Sequence, residues 1–120
     1  MRCLVLIHVD RQSFETFSPP AELLTGMEKL MAEWSKKGIM LSTEGLTAPS
    51  KGKTLKLGGK KLTVTDGPYS EAKEVIGGFI MLQGETLEEI TGHVRDFLQL
   101  HEKVLGPSFE IGCELRPLEG

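Results

Sequence analysis

A chain of 120 residues, 39% hydrophobic and 26% charged, has the size and composition of one ordinary globular domain, 1–120, with enough apolar material for a core. Its net charge of −3 excludes the broadly basic surface that non-specific nucleic-acid binding requires. The apolar run before His8 and Asp10 is too short for a secretory segment or a membrane span, so neither nucleic acid nor membrane is expected as a partner, and the expected compartment is cytoplasmic.

Cys3 to Val9 is rich in branched residues and reads as a central strand, with Leu4, Leu6 and His8 on one face if it alternates regularly. His8 has two readings, a satisfied interior side chain or a proton acceptor on a strand leaving the core. Cys3 and Cys113 lack the paired spacing of a metal or redox motif and read as buried reduced thiols. Asp10-Arg11-Gln12-Ser13 is expected to be a polar connection. Ser18 before Pro19-Pro20 predicts an N-cap with prolines in the first helical turn. Leu23, Met27, Leu30 and Trp34 then recur at helical spacing until Gly38. Trp34 fits core packing, or the lining of a cavity at the helix end.

Ile39 to Leu46 alternates as a strand that places Glu44 on the same face as Met40 and Leu46. After a loop at 48–53, Leu55–Leu57 and Leu62–Val64 flank a two-residue turn at Gly58-Gly59, predicting a β-ribbon that returns at Asp66. The lysines at 51, 53, 56, 60 and 61 around it read as a solvated face. Asp66-Gly67-Pro68 makes a stiff corner, because Gly67 accepts positive φ and Pro68 fixes its own. The corner presents Asp66, Tyr69, Glu71 and Lys73 within a few residues. Gly78 to Gln83 is the next strand, with Gly77-Gly78 marking a bulge or a close backbone approach. Thr86-Leu87-Glu88-Glu89 is a capping box opening a helix whose stripe is Leu87, Ile90, Val94, Phe97 and His101, with His93 at its margin. Gly106-Pro107 stops it. Phe109 to Leu115 closes the chain as a strand, with Glu110, Gly112, Glu114 and Arg116 forming one polar face.

The order strand, helix, strand, ribbon, strand, helix, strand is a ferredoxin-like βαββαβ arrangement, α+β in class, with an inserted β-hairpin. Two helices cover one sheet face. The other keeps apolar residues that a single protomer cannot hide, which predicts a homodimer.

Asp66-Gly67-Pro68-Tyr69 resembles the DGPF motif of the YCII-related family, with Tyr69 in place of its phenylalanine. Glu44-Gly45-Leu46, Glu71-Ala72-Lys73-Glu74 and Glu114-Leu115-Arg116-Pro117 match in the same order. The resemblance implies a ferredoxin-like protomer pairing as a dimeric α+β barrel. It also implies that some relatives look like small lyases or dehydrochlorinases.

No nucleophile elbow, metal-binding histidine spacing or dinucleotide fingerprint is present, so no metal and no cofactor are expected. Acid–base chemistry remains. Asp66 or His8 is the candidate proton acceptor, and Lys73 and Arg116 are candidates to attract an anionic small molecule or a developing enolate. Glu44 and Glu114 would orient these cations, and Tyr69 and Trp34 complete the candidate substrate-binding set. A non-catalytic metabolite-binding, regulatory or structural dimer is the alternative, and in a third reading Asp66 serves only the turn.

Overall fold

The computed structural model describes residues 1–68 and 72–120. It is α+β. A four-stranded antiparallel sheet has the spatial order β2 (Met40–Gly45), β5 (Glu74–Gln83), β1 (Arg2–Asp10), β6 (Ile111–Pro117). This order is compatible with the ferredoxin-like arrangement. The remaining strands, β3 (Lys53–Gly58) and β4 (Lys61–Asp66), form a separate two-stranded ribbon.

Strand parity decides which side of the sheet is the core. Cys3 and Val5 on β1 and Ile80 and Leu82 on β5 are essentially inaccessible. They cluster with Trp34 of α2 (Ala21–Lys36) and with Ile90, Val94 and Phe97 of α3 (Leu87–Leu105). Each such side chain, once removed from water, contributes about 1.5–3 kcal/mol. Leu4, Leu6 and His8 on β1 and Phe79 and Met81 on β5 have the opposite parity. They are half-buried, lie outside that cluster, and form the face that carries no helix.

Several boundaries differ from the sequence reading, each for a local reason. The connection after β1 is helical, not merely polar: Arg11–Thr16 form α1, because the Asp10 carboxylate accepts from the Ser13 backbone N–H at 3.0 Å and so caps it. The next helix starts at Ala21 with Pro20 as its N-cap, not at Ser18. A residue that precedes proline is held extended, and this applies to Ser18 and Pro19 in succession. The ribbon turns at Gly59-Lys60, both at positive φ, one residue later than expected. That register pairs Leu55 with Val64 and Leu57 with Leu62, placing all four on one ribbon face. All four are more than half exposed.

β5 begins at Glu74, so the glycine pair lies inside the strand. Both readings of that pair hold. The register skips Gly77, since Ile7 faces Gly78 while His8 faces Ile76, which makes a bulge. A Cβ on Gly78 would lie 2.9 Å from the Glu44 carbonyl oxygen, too close for any side chain. At the C-terminus, Phe109 lies before β6 and packs its ring 5.0 Å from that of Phe17. In α3 the cap is as expected, with Thr86 Oγ1 accepting from the Glu89 N–H at 3.1 Å, but Leu87 in the first turn is 39% exposed and lies outside the core stripe. Among the described residues no helix is long and apolar enough to cross a membrane.

Candidate functional site

The open sheet face carries Leu4, Leu6, Phe79 and Met81 at its centre, Ser42 and Glu44 on the β2 edge, and a hydrogen-bonded polar chain on the β6 side. Glu114 lies opposite Leu6 across the β1–β6 pair, and Gly112 lies opposite His8. Because Gly112 has no side chain, the imidazole can lean diagonally along the sheet, a reach that neighbouring strands permit. His8 Nε2–H donates to Glu114 Oε1 at 2.9 Å, and Arg116 donates to the other carboxylate oxygen at 3.1 Å. The His8 hydrogen bond, and after it that of Arg116, holds the Glu114 carboxyl below its usual range, so Glu114 is an anion at neutral pH. Accepting from Nε2–H fixes the neutral imidazole as the tautomer whose Nδ1 carries the lone pair. Of the three, His8 is the most sheltered, with 27% of its side chain exposed against 41% for Glu114 and 69% for Arg116.

The motif corner is built differently. Gly67 is buried at φ +78°. Its N–H donates to the Gly52 carbonyl at 2.8 Å, and Thr54 Oγ1 donates to its carbonyl at 2.7 Å. The corner is thereby bolted to the start of the ribbon. Gly67, Pro68 and Lys53 border a cavity of about 550 Å³ with Leu46, Glu74 and Ile76. The Asp66 carboxylate is not part of its lining. That group is 82% exposed and accepts from Lys53 Nζ at 2.6 Å across the ribbon.

The remaining sequence candidates are dispersed. Lys73 is exposed, and its backbone carbonyl accepts from the Arg11 N–H at 2.9 Å. Glu44 is exposed near the end of β2, opposite Phe79. Trp34 is 3% exposed within the core, edge-on to the His93 ring with centroids 6.2 Å apart. This is the packing role its helical spacing allows. Tyr69 lies outside the described residues. The structure therefore joins His8, Glu114 and Arg116, and sets Asp66 apart from them in its pair with Lys53. His101, which the sequence placed only on the buried side of its helix, proves to be hydrogen-bonded: Nδ1–H donates to the Phe97 carbonyl at 2.8 Å. The i, i+4 spacing of an aromatic residue and a histidine was the one available signal.

The corner's geometry separates the two roles a DGP turn can have. Gly67→Val places a β-branched residue in the left-handed region and is expected to cost at least about 1–2 kcal/mol, read as a lower midpoint in urea. Asp66→Asn removes one exposed ion pair and is expected to leave that midpoint nearly unchanged.

In comparisons with known proteins, a family model described as YCII-related domain matches residues 1–97. No curated protein matches the chain. The match runs from β1 into α3 and ends before β6, so it includes His8 but not Glu114 or Arg116.

Proposed function

The chain belongs to the YCII-related family, and from that premise we propose that it works as a cytoplasmic homodimer, a dimeric α+β barrel, that performs proton transfer on a small anionic carbonyl compound. The carrying observation is the His8–Glu114–Arg116 chain on the helix-free sheet face, beside the apolar side chains of Leu4, Leu6, Phe79 and Met81. Two surfaces support pairing: that face, and the ribbon side bearing Leu55, Leu57, Leu62 and Val64. Meeting of two such faces would enclose the polar chain and exclude water from it, which strengthens its electrostatics.

In this reading His8 Nδ1 takes a proton from carbon next to the carbonyl. Glu114 keeps the ring in the required tautomer and orientation. Arg116, whose guanidinium has further N–H groups, draws in the substrate carboxylate and opposes charge that builds on the enolate. Returning the proton elsewhere completes an isomerisation. Expelling a leaving group from the adjacent carbon completes an elimination of the lyase type.

The test is solvent deuterium incorporation at the carbon next to the carbonyl, C3 of small 2-oxo carboxylates and C2 of 2-hydroxy carboxylates, followed by proton NMR. Wild type is expected to exchange at least one of them, and His8→Asn to slow that exchange by about 10²–10⁴-fold, while Asp66→Asn leaves it unchanged. A dimer that exchanges none of them, or a His8→Asn variant as fast as wild type, would replace this reading with a non-catalytic metabolite-binding or structural dimer.

A further inference from the structure

On the side of the sheet away from His8, α1, α2 and α3 stand over a cleft of about 490 Å³. Its walls are Phe14, Phe17, Met27, Met31, Phe97 and Phe109, and its sheet side includes the Gly77-Gly78 bulge. The bulge keeps this end of the cleft open, since a Cβ on Gly77 would come within 3.1 Å of the Phe14 ring. One titratable side chain in this lining is almost wholly withdrawn from solvent. His101 is 6% exposed, stacks on Phe97 with ring centroids 4.5 Å apart, and lines the cleft.

The chemistry of that ring is determined by its neighbours. Nδ1 must carry the hydrogen, because the Phe97 carbonyl it contacts can only accept. Burial pushes the imidazole's pKa down, so the neutral ring prevails at pH 7. Nε2 is then a lone-pair acceptor, and it has no hydrogen-bond partner among the described residues. Unlike His93 Nε2, this nitrogen is not wholly shut off from solvent, so it stays open to a donor. A ligand N–H or O–H in the cleft would take the place of water there.

We propose that this cleft is a binding site for a flat, largely apolar molecule carrying one N–H or O–H donor, which donates to His101 Nε2 while its ring lies among the phenylalanines and methionines. A volume near 490 Å³ is within the range of small-molecule pockets and admits a bicyclic ring system. Recognition divides in two: aromatic and thioether contacts supply affinity for any flat apolar body, and His101 Nε2, set among them, selects those with a donor. The site is separate from the His8 chain and does not depend on the reaction proposed there.

Indole and benzofuran test this, since they share a shape and differ in the donor. Titrated into the intact protein and followed by methyl and histidine side-chain NMR, indole is expected to shift the Met27, Met31 and His101 signals saturably. It should bind about 3–10-fold more tightly than benzofuran. In His101→Phe the two should bind equally, both retained through the apolar walls. Equal affinity of indole and benzofuran for wild type, or shifts that avoid His101 and the two methionines, would overturn the proposal. Because the wild-type comparison decides alone, the inference remains testable even if His101→Phe does not fold.

Discussion

Replacing Trp34 with alanine is expected to lower the stability of the fold by about 3–5 kcal/mol, the range for truncating a large buried aromatic. Trp34 is 3% exposed and belongs to the cluster formed by Cys3, Val5, Ile80, Leu82, Ile90, Val94 and Phe97. Its loss would leave a cavity beneath α2 that backbone closure can only partly fill. It would also remove the aromatic edge from His93, whose buried Nε2 has no hydrogen-bond partner among the described residues. For a chain of this length the midpoint of thermal unfolding should fall by roughly 10–25 °C, measured at one fixed protein concentration so that self-association does not move the reference. Trp34→Phe, which keeps most of the volume, should lose well under half as much. A ligand-lining tryptophan would behave otherwise: alanine would barely alter the midpoint of the free protein and would abolish only the shift produced by a bound molecule. Trp34→Ala thus distinguishes the two roles that helical spacing leaves open.

The Trp34 case also shows where sequence reading succeeds. Period alone places Leu23, Trp34, Ile90, Val94, Phe97 and His101 on inward stripes, and all are buried; β1 alternates as its residues suggest because the period of two is a property of the strand itself. The Gly77-Gly78 pair was legible for the same reason, since only close backbone approach or a bulge demands adjacent glycines inside an apolar strand. What escaped notice depended on tertiary partners. Phe109 has the composition of a strand residue, yet its ring packs on Phe17, more than ninety positions away in sequence, and β6 starts after it. The α1 helix depends on one carboxylate, that of Asp10, and six residues give no periodic signal. Asp66 stands at the most site-like corner of the sequence, but the β3–β4 register places it opposite Lys53, and that neighbour claims its carboxylate. His8 and Glu114, by contrast, are 106 residues apart. Strand parity could place each on the open face, but only the sheet order makes them neighbours.

Phe79→Glu is expected to abolish self-association while leaving the protomer folded, and it is the most direct test of the surface on which the proposed chemistry depends. The open face consists of strands about 4.8 Å apart rising about 3.3 Å per residue, with the β1–β5 pair running over nine residue pairs and β1–β6 over seven. That is roughly 19 by 25 Å in projection. With side-chain relief and the apolar ribbon face added, each copy approaches the about 800 Å² per partner of a standard interface. Phe79 lies on β5 between Leu6 and Glu44, near the middle of this patch, where truncations and charges cost most. A carboxylate there would be buried without a partner in the pair, whereas in the separated chain it faces water. The penalty therefore falls on association and not on folding. Sedimentation equilibrium at micromolar concentration should give a dimer for wild type and a monomer for Phe79→Glu, a loss of at least about 100-fold in dimer affinity, with unchanged far-ultraviolet circular dichroism. Leu57→Lys, on the ribbon, should weaken pairing by less if that arm lies at the edge of the contact. A monomeric wild type, or a Phe79→Glu variant that still pairs, would mean that His8, Glu114 and Arg116 work in open water, where no sheltered proton transfer can take place.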